Sequence, residues 1–114
     1  MRLQVRNLTR DTTLAERAVH ANRLWTRARG LLGHPPLQAG EGMVIEPCSS
    51  VHTFFMGYAL DVVFAGVDQQ VLAVETVAPW RLSRVVWSAR YAIELPAGAA
   101  GDTAVGDQLA LEAA

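Results

Sequence analysis

Three ionisable residues interrupt stretches of this chain that are otherwise apolar and strand-forming. His52 lies in Val51-His52-Thr53-Phe54-Phe55-Met56, Asp61 in Leu60-Asp61-Val62-Val63-Phe64 and Glu94 in Tyr91-Ala92-Ile93-Glu94-Leu95. Segments this rich in Phe, Val and Ile seek burial, and buried ionisable groups need partners. An imidazole oriented by a carboxylate is the machinery of acid/base and hydrolytic catalysis. His52 with Asp61 or Glu94 is therefore the candidate catalytic set. The same few polar groups among apolar walls also describe a ligand pocket, or a structural network in which each group has its own bonding mate.

Strand alternation would place His52, Phe54 and Met56 on one face and Val51, Thr53 and Phe55 on the other. Asp61 needs a partner, and Arg29 is the candidate. It flanks the apolar stripe of a helix, where its guanidinium could hold a carboxylate by two bonds. The segment from Pro79 to Arg90 sets Trp80 and Trp87 among Arg81, Arg84 and Arg90. That mixture suits a partner surface or stacking on a flat ligand. The candidate ligand-binding residues are thus Arg29, His52, Met56, Trp80 and Trp87.

Other chemistries lack support. Cys48 precedes His52 by four residues, roughly more than 10 Å on an extended chain, so thiol and imidazole could meet only if the chain turned at Ser49-Ser50. Cys48, His20, His34 and His52 show no zinc-ligand spacing. Nucleotide-binding, zinc-protease and serine-hydrolase motifs are missing, so no metal and no cofactor is expected.

The elements that must hold these residues are mostly strands. Leu3, Val5 and Asn7 alternate with polar neighbours, which predicts a strand over 2–8. A second short strand is expected near 14–20. Ala21, Leu24, Trp25, Ala28, Leu31 and Leu32 then form a helical stripe, capped by Asn22 and stopped by Gly33 and Pro35-Pro36. One α-helix is therefore expected at about 22–32, with a single helix over 14–32 as the competing reading. Further strands are expected at 42–46, 51–56, 60–65, 71–77, 91–95 and 109–112. A Gly-containing hairpin loop spans 66–70, and a Gly/Ala-rich turn spans 97–105. The fold class is mainly β, a small sandwich or barrel-like single domain over 1–114 with one helix laid across it.

Composition narrows the class. The chain is 51% apolar and 18% charged, hence globular. A net charge of -1 argues against a nucleic-acid partner. Residues 1–40 hold seven Arg against two acids and residues 41–114 three Arg against nine, which reads as one part packing on the other. Met1-Arg2-Leu3-Gln4-Val5-Arg6 lacks the apolar core of a secretory leader, and no window reaches the length of a membrane span. With one cysteine, a cytoplasmic protein without a membrane partner is expected.

Several blocks in order resemble a known family. They are Arg29-Gly30-Leu31-Leu32-Gly33, Gly42-Met43-Val44-Ile45, His52-Thr53-Phe54-Phe55-Met56 with Leu60-Asp61-Val62-Val63-Phe64, Glu94-Leu95-Pro96-Ala97-Gly98, and Gly106-Asp107. Over about residues 15–111 the chain resembles the prokaryotic domain-of-unknown-function family number 192. The resemblance implies a small β-sandwich or barrel-like fold with one helix. It marks Arg29, Met56, Asp61, Glu94 and Gly98 as pattern positions, with His52 in a His-Thr variant, and implies no assigned activity. The chain departs from the pattern at Leu32, where Met is usual, at Gly57, where a basic residue is common, and at Ala59, where Pro is common.

The functional expectation is a binding or interaction module for a small molecule or peptide, with its site near His52, Met56, Asp61 and Glu94 and its rim at Trp80 and Trp87. The alternative is a hydrolase-type or acid/base enzyme using His52 with Asp61 or Glu94. A third reading makes the tryptophan segment an assembly interface. A monomer or weak homodimer is expected.

Overall fold

The alternating segments pair into one continuous sheet. The structure, a computed structural model, describes residues 2–21 and 35–113. Its strands are β1 (Arg2–Asn7), β2 (Thr12–Ala21), β3 (Glu41–Ile45), β4 (Leu60–Ala65), β5 (Val71–Val77), β6 (Tyr91–Pro96) and β7 (Leu109–Ala113). They lie in the order β5-β4-β6-β3-β2-β1-β7. Only β2 and β3 run parallel, with Arg17 opposite Glu41 and Ala21 opposite Ile45. A parallel pair cannot be joined by a tight hairpin, and Ala21 and Glu41 are accordingly far apart in the sequence.

The sheet curls into a half-barrel. Its two edge strands meet at one end, where Gln70 bridges Gln108. Val71 N donates to Asp107 O at 2.8 Å and Leu109 N to Gln69 O at 2.9 Å. Register shifts within β1–β2 and at Phe64–Ala65 supply local bending. The sandwich option is thereby excluded, because a single sheet folds back on itself. The expected helix at about 22–32 lies outside the described residues, and no helix occurs among the described ones. The reading of 14–20 as helix is excluded, since those residues belong to β2.

Period-two alternation sorts the side chains onto two faces. The inner face gathers Leu3, Val5, Leu14, Val44, Val63, Ile93, Leu95 and Leu109. The outer face of β3, β6, β4 and β5 carries Met43, Ile45, Leu60, Val62, Phe64, Ala73, Val77 and Ala92, together with Val51 and Met56 from the preceding loop. Each large side chain buried here contributes about 1.5–3 kcal/mol. Residues 47–59 and 79–90 have no place in the sheet, and they form the loops that supply Val51, Met56, Val86 and Ala89 to the outer face.

The strand expected over 51–56 does not form. It reduces to one isolated bridge between His52 and Leu82. Val51 and Thr53 point inward and His52 outward, and the chain then turns with Phe55 at φ 65°. That left-handed residue breaks the alternation, so Met56 is buried while His52 is exposed. The two do not share a face.

A polar knot fastens the ends of the chain. Asp107 Oδ2 accepts from Asn7 Nδ2 at 3.0 Å, Arg10 Nε at 2.7 Å and Ala104 N at 3.0 Å. These bonds favour the ionised form and hold the Asp107 carboxyl down at about 2. An unfolded chain restores the ordinary value, so the stabilisation is complete above about pH 4 and is lost as pH falls toward about 2. Thermal melts across that window are expected to show Tm dropping with acid, and Asp107→Asn is expected to lower Tm near neutrality and flatten the drop. An acid limb equally steep in the variant would contradict this assignment.

Candidate functional site

The two loops on the outer face are stitched together by one buried threonine. Thr53 N donates to Arg81 O at 2.8 Å, and Trp80 N donates to Thr53 O at 3.0 Å. Thr53 Oγ1 donates to Ala78 O and accepts from Arg81 N at 2.9 Å. Met56 N also reaches Thr53 O, at 3.1 Å. Farther along, Ser83 N donates to Val51 O and Val86 N to Ser49 O, at 2.9 and 2.8 Å. Ser83 Oγ accepts from Val51 N at 2.9 Å.

This stitched pair lifts aromatic rings into solvent. Phe55 and Trp80 are 74% and 52% exposed, yet their ring centroids lie 4.7 Å apart. Phe54 stands 6.4 Å from Trp80 and 5.3 Å from the His52 ring, which it stacks at 25°. Both Phe55 and Trp80 occupy left-handed backbone, with φ 65° and 60°. For a bulky L-residue that conformation costs roughly 1–2 kcal/mol. Leu82, Val85 and Trp87 are also exposed, Trp87 at 86%. Arg81 and Arg84 flank them, and residues 47–59 and 79–90 contain no acid at all.

The three ionisable candidates do not converge. His52 is exposed, and its Nδ1 accepts Phe54 N–H at 3.2 Å, which leaves the ring proton on Nε2. Asp61 is buried on the inner face, which it shares with Val63 and Ala65. Its Oδ1 accepts from Thr76 Oγ1 at 2.8 Å, and its Oδ2 from Gly98 N at 2.9 Å and Ala100 N at 3.0 Å. Asp61 therefore pins the turn after β6 against β4. Arg29, its expected partner, lies outside the described residues.

Glu94 sits on the opposite face of the same sheet. It pairs in register with Met43 and Val62, while its neighbours Ile93 and Leu95 belong to the inner core. The residue is 3% exposed, and among the described residues its Oε2 has no hydrogen-bond partner. Burial pushes its carboxyl up to about 7. After burial, the nearness of Glu94 holds the Tyr58 phenol above its usual value. Met56 is buried beside these residues in the outer core, whereas Trp87 makes no aromatic contact among the described residues. Cys48 Sγ bonds Ser50 O at 3.1 Å instead of His52. No group of metal-ligating side chains forms among the described residues.

Sequence reasoning did not single out Thr53, Phe54 or Phe55, which read as strand core. The Gly57 that follows was the available sign of a turn. The ion pairs around Glu46 also went unread, since His20, Glu46 and Arg90 are brought together only by sheet register.

Glu94 makes stability fall with rising pH. Its folded carboxyl binds a proton more tightly than the unfolded one, so the folded state is favoured below about pH 4.5 and loses ground as pH rises through about 7. A shift of this size is on the order of 3 kcal/mol. Glu94→Gln is expected to match the wild type near pH 5 and to exceed its unfolding free energy near pH 8, as read by denaturant titration. A variant less stable near pH 8 would show that the carboxylate has a cationic partner.

Comparison with known proteins places the chain. It is 28% identical over 96 residues to a UPF0127 protein of Thermococcus sibiricus, covering 81% of this chain and 62% of that protein. It is 42% identical over 50 residues to a UPF0127 protein of Pyrococcus horikoshii, covering 44% of each. The chain thus spans less than two thirds of these relatives. A protein of unknown function from Novosphingobium aromaticivorans shares the fold with a TM-score of 0.80 at 19% identity, over 96% of this chain and 84% of that one. A candidate transcription regulator from Sinorhizobium meliloti gives 0.77 at 20% identity, over 96% and 92%. These two likenesses speak for the fold alone. The family model described as "Uncharacterized ACR" matches residues 6–111, and the chain belongs to that family, the domain-of-unknown-function family number 192.

Proposed function

We propose that this protein is a binding module whose surface is the aromatic platform of Phe54, Phe55 and Trp80, edged by His52 and Leu82. One observation carries the reading. Two bulky residues are held in left-handed backbone so that their rings touch while facing water. Both the strain and the exposure oppose folding, and strain retained at a surface commonly marks a ligand site. The rigid base beneath comes from Thr53 and Ser83, so the rings are held in place before any ligand arrives.

The charge around the platform selects its occupant. Arg81 and Arg84 are exposed and no acid lies in either loop, so the surface favours an acidic peptide segment with apolar or aromatic anchors. Trp and Arg are the residues that most often dominate such contacts. The enzymatic alternative has less behind it. His52 Nδ1 accepts from Phe54 N–H, its ring stacks on Phe54, and neither Asp61 nor Glu94 is among these contacts. The exposure of Trp80 and Trp87 keeps an assembly role within the same reading, with a second copy as another occupant of the platform.

Peptides selected from a random library are expected to combine Asp or Glu with apolar anchors and to shift backbone amides at 52–56 and 80–87. Trp80→Asn is expected to abolish that binding. Because Asn tolerates left-handed backbone, it should leave stability unchanged or raise it by up to about 1 kcal/mol. Shifts confined to other surfaces, or a variant that loses more than about 1 kcal/mol of stability, would refute the proposal.

A further inference from the structure

One short piece of the loop over the outer face can move without undoing the rest. Residues 57 and 58 form a bend between two buried anchors, Met56 and Leu60. Gly57 is exposed, and a side chain added there would meet nothing within 4 Å. The backbone bonds that stitch this loop to 78–86 are made by Ser49, Val51 and Thr53, all upstream of the bend. Tyr58 is half-buried and packs against the outer core. The freedom of Gly57 lets that ring swing while the clamp at Thr53 stays shut.

Glu94 lies beneath this bend. Its neighbours in register are Met43 on β3 and Val62 on β4. Both belong to the apolar cluster that holds Met56 and, at its margin, Tyr58. Side chains opposite each other on paired strands stand about 5 Å apart. Tyr58 is near enough to feel the charge of Glu94. The carboxyl therefore has apolar sides and a tyrosine above it.

Among the described residues nothing balances its charge. No ion pair includes Glu94. Beyond Val62 in the same row, β5 contributes a second acid, Glu75, whose Oε1 accepts from Arg84 N at 3.0 Å. Two residues along β3, Glu41 stands opposite Arg17 of β2. Arg17 is committed to Ala39 O at 3.2 Å and Glu16 at 3.5 Å. The overlying loops bring Cys48 and Tyr58 to this cluster as titratable groups, and neither is cationic. Such an enclosure suits a carboxylic acid that keeps its proton, and burial accordingly pushes the Glu94 carboxyl up to about 7. A carboxylate left there needs water, and the bend is the part of its cover that can yield.

We infer that residues 57–59 are a proton-operated lid, which seats Tyr58 over Glu94 while the acid keeps its proton and lifts to admit water when the proton leaves. The lid adjoins Phe55, so its position regulates the aromatic platform; this consequence rests on the reading of that platform as a binding surface, and the lid itself does not. The seated form is fully favoured below about pH 4.5 and loses ground as pH rises through about 7. Across that window the ratio of open to seated lid rises by up to about 300-fold.

An NMR titration of the intact chain between about pH 5 and pH 9 tests the lid. The side-chain carboxyl carbon of Glu94 and the ring signals of Tyr58 are expected to move together, with a midpoint near 7. In Glu94→Gln the Tyr58 transition disappears, and in His52→Gln, which removes the exposed imidazole, it remains. Tyr58→Ala takes away the cover and should lower the Glu94 midpoint by about one pH unit or more. A peptide selected on the platform is expected to bind about fivefold or more weakly near pH 8 than near pH 6, a difference lost in Glu94→Gln. A Glu94 midpoint below about 5, a Tyr58 transition that survives in Glu94→Gln, or an unchanged midpoint in Tyr58→Ala would overturn the lid. Peptide affinity that ignores pH while Tyr58 titrates would refute its regulation of the platform, and no peptide binding at either pH would refute the platform reading alone.

Discussion

The surface of this protein depends on the hydrogen bonds of one threonine. Thr53 uses its amide, its carbonyl and its hydroxyl to clamp residues 78–81. Each such bond contributes only about 0.5–1.5 kcal/mol net. Together they fix two segments that have no strand partner of their own. Val51 and Met56 then anchor the clamp by packing into the outer core. Because the clamp closes tightly, Phe55 and Trp80 are forced into left-handed backbone and their rings have nowhere to go but outward.

The three buried acids have three different fates, and the difference is physical. Asp61 is surrounded by donors: a threonine hydroxyl and two backbone amides of the turn after β6. Asp107 has an amide side chain, a guanidinium and a backbone amide. Both act as fasteners. Glu94 has neither arrangement for Oε2 and lies beneath the loops on the outer face, so burial alone governs it. One sheet therefore separates Asp61 from Glu94, so the two acids do not open onto one common face.

Most of the fold was legible because strand period is local. Leu3, Val5 and Asn7 announce β1, and Tyr91 to Leu95 announce β6, by neighbours two apart. The segment 51–56 was misleading because its composition is that of a strand while its geometry is decided by Thr53. A hydroxyl that bonds a segment 25 residues away leaves no periodic trace. The same holds for Asp61. A side chain such as Arg29 is visible as a charge in the sequence, but the backbone amides of Gly98 and Ala100 are not. Trp80 and Trp87 were legible as surface residues by composition, whereas His20, Glu46 and Arg90 came together only through sheet register.

Amide hydrogen exchange at Thr53, Met56, Trp80 and Arg81 tests the central claim most directly. If Thr53 clamps the loops, these four amides exchange as slowly as those of β4 and β6, through the same cooperative opening. If they exchange as rapidly as the exposed turn at Val67 and Asp68, the platform has no rigid base and the account of its strained aromatic rings is wrong.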